Sequence, residues 1–142
     1  MPTWAKVLLV LFIGGILLAG VAVFFGIRWA RREFRQIKND GPRLVAEAKD
    51  FGRGKEGEAC VVESLARLDR CDGFICEAKT KLFLSTCLTT ANVSEDFCKD
   101  VPRHGEILKT ATWAQAECAR RGASNPQRCS RLITGIQDRC SR

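Results

Sequence analysis

The residues of this chain best suited to chemistry are its eight cysteines, Cys60, Cys71, Cys76, Cys87, Cys98, Cys118, Cys129 and Cys140. Thiols at this density can pair as disulfides, hold a metal or exchange electrons. Structural zinc sites use paired C-x2–4-C clusters. Only Cys71 and Cys76 meet that spacing, at its upper limit, and no second pair accompanies them. Thioredoxin-type exchange uses C-x-x-C, which is absent. The predicted chemistry is structural: disulfides, with no metal ligands, no cofactor and no catalytic residue. A metal-binding or small-ligand module and a thiol redox protein stand as the alternatives.

The spacing points to the elements that must position these thiols. Five of the seven intervals are eleven residues, and eleven residues at about 100° each make three turns plus about 20°, so cysteines so spaced share a helix face. Cys60 and Cys71 fall on one predicted helix and Cys76 and Cys87 on the next, joined at Asp72-Gly73, a turn dipeptide. Opposed positions in an antiparallel hairpin share a midpoint, which makes Cys60–Cys87 the outer rung and Cys71–Cys76 the inner one. Val61, Val62, Leu65 and Leu68 face Ile75, Leu82, Phe83 and Leu88 across this hairpin. The pattern Cys60-x10-Cys71-x4-Cys76-x10-Cys87 resembles the twin-cysteine helical hairpins of the mitochondrial intermembrane space, over residues 60–87 and on spacing alone.

In the second half, Gly122 suits a helix end, and Asn125-Pro126 reads as an N-cap followed by a first helical residue. Cys129, Leu132, Ile133, Ile136 and Cys140 then follow at i, i+3, i+4, i+7 and i+11, an amphipathic face. Cys118–Cys129 is the expected inner rung, and Cys98–Cys140 remains by elimination. Cys98 falls on a short helix from Ser94 to Val101, stopped by Pro102. A bridge closing some 10–30 residues is worth roughly 3 kcal/mol in the loop-entropy model, a large share of a small domain's stability.

Ahead of the cysteines, Val7 to Ile27 carries no charge or strongly polar group, and about twenty apolar residues in a helix cross a bilayer core. Trp4 and Trp29 bracket the run, where indole rings favour the interface. Gly15, Ala19, Ala22 and Gly26 share one stripe, on which a second helix could pack closely in lipid. Arg28, Arg31, Arg32 and Arg35 follow and are placed to meet lipid headgroups. A cleaved signal peptide is the rival, with Lys6 as its positive region and Gly20-Val21-Ala22 near the cleavage point. The run continues past that point, longer than a signal peptide needs, so the expectation is an uncleaved anchor.

The net charge of +7 is local: residues 1–40 carry +4, residues 41–119 about −2, and residues 120–142 carry +5. No basic stripe on a known nucleic-acid module appears, so nucleic acid is not an expected partner. The arginines after Ile27 would keep the C-terminal part in the cytoplasm by the positive-inside rule. Multiple disulfides require an oxidising compartment, and eight thiols in so short a domain outweigh a flanking bias. The expected location is a single-pass membrane protein with its C-terminal domain extracytoplasmic, in a bacterial periplasm or an equivalent compartment.

His104, alone of its type, lies in a loop after Pro102-Arg103 and reads as solvated. Glu95 and Asp96 suit the positive end of a helix. Asn92-Val93-Ser94 matches the glycosylation acceptor, relevant only on a route through an endoplasmic reticulum. Trp113 lies beside the apolar stripe Ile107, Leu108, Ala111, Ala114 and Cys118, and with Arg120, Arg121, Arg128 and Arg131 forms a candidate interface. The whole reads as all-α: anchor and basic extension over 1–38, a linker with a short helix at Asp40-Gly41-Pro42 and a glycine joint over 39–58, and two stapled helical hairpins over 59–142. The expected role is non-enzymatic, an accessory subunit or scaffold bound to another membrane or envelope protein.

Overall fold

The computed structural model describes residues 3–141, apart from the side chains of residues 3, 5–11 and 32–39. The described residues are helical and contain no strand. In order they form α1 (Thr3–Gly52), α2 (Gly57–Asp69), α3 (Phe74–Thr90), α4 (Glu95–Cys98), α5 (Ile107–Arg120) and α6 (Pro126–Ile133), then a 3-10 turn (Thr134–Ile136) and α7 (Gln137–Cys140). The chain divides between Asn39 and Asp40 into two units, each described by itself.

In the first unit, the stretch Phe12–Arg31 is long and apolar enough to cross a membrane by length and composition, a test that a signal sequence also passes. Trp4, Trp29 and the large apolar side chains between Phe12 and Ile27 are exposed, as are Gly15, Ala19, Ala22 and Gly26. Arg28 and Arg31 are exposed, whereas the side chains of Arg32 and Arg35 lie outside the described residues.

The second unit is built on cystines. The four pairs are Cys60–Cys87, Cys71–Cys76, Cys98–Cys140 and Cys118–Cys129, with Cα–Cα separations of 5.8, 5.5, 5.3 and 5.9 Å, the range a disulfide spans. No cysteine is left free. Cys60, Cys87, Cys118 and Cys129 are wholly buried alongside Val61, Phe83, Leu84, Leu88 and Ile133. The sulfurs are core material as well as cross-links.

α3 buries Thr80, Phe83, Leu84, Cys87 and Leu88, a stripe at i, i+3, i+4, i+7 and i+8. It packs on α2, whose buried face is Cys60, Val61, Ser64 and Leu68. Two positions expected inside lie outside: Val62 is 57% and Leu82 39% exposed. The rungs set the rotation of both helices, and with Cys60 and Cys87 turned inward the stripe falls through Ser64, Thr80 and Leu84 instead. Thr80 is satisfied, donating to Cys76 O at 3.0 Å. The buried Ser64 hydroxyl has no partner.

Within residues 40–58, Gly52 and Gly57 are packed against the body, whereas Gly54 stands in open space at φ +69°. Leu44, Ala48 and Phe51, at i, i+4 and i+7 on α1, lie against the core, and Pro42 sits inside the helix rather than at its start. The loss of one N–H there is offset by side-chain ties to the body, Lys79 to Asp40 at 2.8 Å and Arg67 to Glu47 at 2.6 Å. The Arg67 guanidinium also stacks on the Phe83 ring, 3.8 Å from its centroid. The glycines allow close approach: a Cβ on Gly52 would lie 2.5 Å from both Cys87 O and Thr90 Oγ1. Gly57 N donates to Asn92 O and Asn92 N to Lys55 O, at 2.9 and 2.8 Å, pinning the corner to the end of α3.

Two helix starts follow the capping rules. Ser94 accepts from Phe97 N ahead of α4, and Asn125 from Arg128 N ahead of α6, with Pro126 in the first turn. α4 is shorter than the expected 94–101, ending at Cys98, where the bridge to Cys140 takes over. The buried Gln137 amide donates to Pro102 O and Thr110 Oγ1, tying the last turn to the loop before α5 and to the first turn of α5.

The bridges close spans of 27, 5, 42 and 11 residues. Loop closure ranks them, at about 4 kcal/mol for Cys98–Cys140 and about 2 kcal/mol for Cys71–Cys76. The double variant Cys98→Ser/Cys140→Ser should therefore lose about twice the stability of Cys71→Ser/Cys76→Ser in urea unfolding, and equal losses would refute that ranking.

Candidate functional site

The five residues grouped as a candidate interface divide between two grooves. Trp113, Arg120 and Arg121 line one of about 490 Å³ between α2, α4 and α5, with Phe97, Asp96 and Asp100. Arg128 and Arg131 line another of about 480 Å³ between α3, α5 and α6, with Phe74, Ala78, Ala111 and Leu132. Arg121 and Arg128 meet again at a small cleft with Asp69, Ser124 and Asn125, where Cys118–Cys129 holds α6 against α5.

Most of these arginines hold the fold together. Arg121, only 13% exposed, donates to Glu117 on its own helix at 2.8 Å and to both carboxylate oxygens of Glu58 on α2. Arg128 donates to Glu77 Oε1 at 2.7 Å and to Cys71 O at 2.8 Å, binding α6 to the turn between α2 and α3. Arg131 reaches the other oxygen of Glu77 at 3.0 Å but stays 65% exposed. Arg120 pairs with Glu117 and is 71% exposed. The +5 of residues 120–142 is thus partly neutralised by Glu58, Glu77 and Glu117 from earlier in the chain.

The carboxylates register this pairing. The hydrogen bonds from Arg121 hold Glu58 below its ordinary range, against its partial burial. Burial acts to raise Glu117, but hydrogen bonds from Arg120 and Arg121 outweigh it and the net shift is downward. For Glu77, desolvation is likewise outweighed by Arg131 and Arg128.

Trp113 is half-buried and packs against the core, so its ring serves the fold first. The apolar stripe beside it behaves unexpectedly. Ala114 and Cys118 are buried, but Ile107 and Leu108 on the same face of α5 are 79% and 83% exposed. Periodicity places residues on a common face and does not say how far along the helix that face is covered. Phe74, 79% exposed in the first turn of α3, carries no sequence signal that sets it apart from a core aromatic.

A third cleft, about 770 Å³, is lined by polar groups including Lys49, Ser85, Thr86, Thr89 and Arg139. His104 lies at its edge, Nε2 3.3 Å from Asp138 and 58% exposed. Among the described residues, no group of three or more His, Cys, Asp or Glu side chains could hold a metal ion.

Replacing Arg121 with Ala leaves Glu58 and Glu117 without their shared partner. It should cost about 1–2 kcal/mol in chemical denaturation, less than a fully buried pair because Glu58 is half open to water. Arg120→Ala should cost under about 0.5 kcal/mol, and equal effects would remove Arg121 from its structural role. Because the arginines hold the Glu58 and Glu117 carboxyls below their ordinary range in the folded state, their contribution is complete above that range and is lost as pH falls through the folded values. Stability should decline on acidification below about pH 4.5, and Glu117→Gln, less stable at neutrality, should flatten that decline. No protein family, curated protein or solved structure matches the chain.

Proposed function

We propose that this chain is a single-pass membrane protein that presents a rigid helical module outside the cytoplasm to another membrane or envelope protein, as an accessory subunit or scaffold. The module comprises two disulfide-stapled helical hairpins, α2 with α3 and α5 with α6. One observation carries the reading: a domain that relies on four cross-links to close its core leaves Phe74, Ile107 and Leu108 at 79, 79 and 83% exposure. Burying a large apolar side chain is worth about 1.5–3 kcal/mol, so three of them in water are stability forgone. A binding surface accounts for that placement.

The compartment supports the same reading. Paired cysteines persist where the surroundings oxidise them, and the stretch Phe12–Arg31 supplies an anchor of sufficient length and apolarity. Rigidity suits a binding module, since a cross-linked surface loses little entropy on docking. The stripe Gly15, Ala19, Ala22 and Gly26 offers a helix partner in the bilayer a close approach.

Thiol labelling of intact and permeabilised cells, with and without reductant, tests the placement. Labelling should appear only after reduction. Labelling without reductant, and only once the cells are permeabilised, would mean reduced cytoplasmic thiols and would end this reading.

A further inference from the structure

We propose that the groove between α3, α5 and α6 is the docking site of the module, and that its occupant is an amphipathic helix of a partner protein carrying carboxylates beside its apolar face. The proposal rests on the reading above, that the domain is an interaction module, and adds where and what it binds.

Much of the groove's lining is apolar. Phe74 and Ala78 contribute from α3, Ala111 and Ala114 from α5, with Leu68 and Leu132 between them. Phe74, Ala78 and Lys81 lie at i, i+4 and i+7, one stripe of α3. On α5, Ile107, Ala111, Ala114 and Cys118 lie at i, i+4, i+7 and i+11. That second stripe starts buried at Cys118 and emerges into solvent at Ala111, Leu108 and Ile107. Alanines on both walls let another helix axis come close, at the 8–10 Å or so of ordinary helix packing. About 480 Å³ of space takes the anchor side chains that an amphipathic helix offers at i, i+3, i+4 and i+7. No strand exists among the described residues, so an extended peptide has no sheet edge to join.

The rim supplies the sign of the partner's charge. Lys81, Arg128 and Arg131 surround the groove with Glu77 as the one carboxylate among its lining residues. Glu77 is already shared by the two arginines. Lys81 is exposed and reaches only the Thr134 hydroxyl, at 3.5 Å. Three cations against one carboxylate favour an acidic flank on the incoming helix. They disfavour a second copy of this chain, whose net charge is +7.

The test uses the full chain in nanodiscs of zwitterionic phosphatidylcholine, with empty nanodiscs as the blank and two stapled helical peptides as probes. Both carry leucines at i, i+3, i+4 and i+7; one has glutamates on its flanks and the other lysines. Fluorescence anisotropy should show the glutamate peptide binding at least about tenfold tighter. Ala111→Trp, which fills the groove without changing charge, should weaken that peptide about tenfold. Arg131→Glu, which leaves the groove open and leaves Glu77 paired to Arg128, should abolish the preference between the two. Peptide mapping under non-reducing conditions checks that both variants keep their bridges. Equal binding of the two peptides, or indifference to Ala111→Trp, would overturn the site. So would hydrogen-exchange protection of residues 107–111 by the bilayer without peptide, or self-association abolished by Ala111→Trp, which would give the face to lipid or to a second copy. Failure here with labelling only after reduction leaves the module without this docking site; labelling of reduced thiols undoes the module itself.

Discussion

Everything in the folded domain is arranged around Cys60–Cys87 and its three companion bridges. A chain of this size buries too little apolar surface to offset comfortably the entropy of ordering its backbone. Here the deficit is visible in the core itself, where four of the wholly buried residues are half-cystines and one is a serine. Cross-links act on the unfolded chain, so they stabilise without demanding a larger core. They also set geometry. With both sulfurs of a rung turned inward, the rotation of α2 and α3 has little freedom left, and Ser64 is brought into the interior whether or not its hydroxyl finds a partner.

Charge does the remaining joining. Three carboxylates, Glu58, Glu77 and Glu117, take up Arg120, Arg121, Arg128 and Arg131. The consequence reaches beyond stability. A segment that looks strongly basic along the chain presents a much weaker field once folded, so long-range attraction to polyanions is a poor basis for its function. What survives at the surface is local: the exposed cations beside an apolar groove.

The cysteine spacing made much of this readable in advance. Eleven-residue intervals imply shared helix faces, and a common midpoint implies the rungs Cys60–Cys87 and Cys71–Cys76. Cys98–Cys140 shares no midpoint with Cys118–Cys129 and follows only by elimination. All four pairs lie at bridging distance in the structure. The caps at Ser94 and Asn125 were legible because capping is local chemistry. The corner from Gly52 to Gly57 was not: glycine in a charged stretch looks alike whether it gives flexibility or close approach, and only Cys87 and Asn92, far along the chain, decide between them. Pro42 misled for a related reason, since its preference for a first turn is a local statistic that tertiary ties at Asp40 and Glu47 override. Arg121 looked like a surface group because its acceptor on α2 lies 63 residues away.

The groove was invisible for a different reason, and that reason bears on what it is for. Ala111, which lines the groove, and Ile107 and Leu108 beyond it belong by periodicity to the face that buries Ala114 and Cys118. A folding domain with apolar residues to spare would draw that whole face into its core. This one stops halfway, because the bridge from Cys118 to Cys129 holds α6 against the C-terminal half of α5, while the chain turns through Gly122 to reach it. The next turns, Thr134–Ile136 and α7, are pulled toward α4 by Cys98–Cys140. The C-terminal segment therefore reaches the first turn of α5 at Thr110, where Gln137 donates to the hydroxyl, and leaves Ile107 and Leu108 exposed. The cross-links that close the core are also what keep this surface open, so the open surface is as rigidly specified as the core.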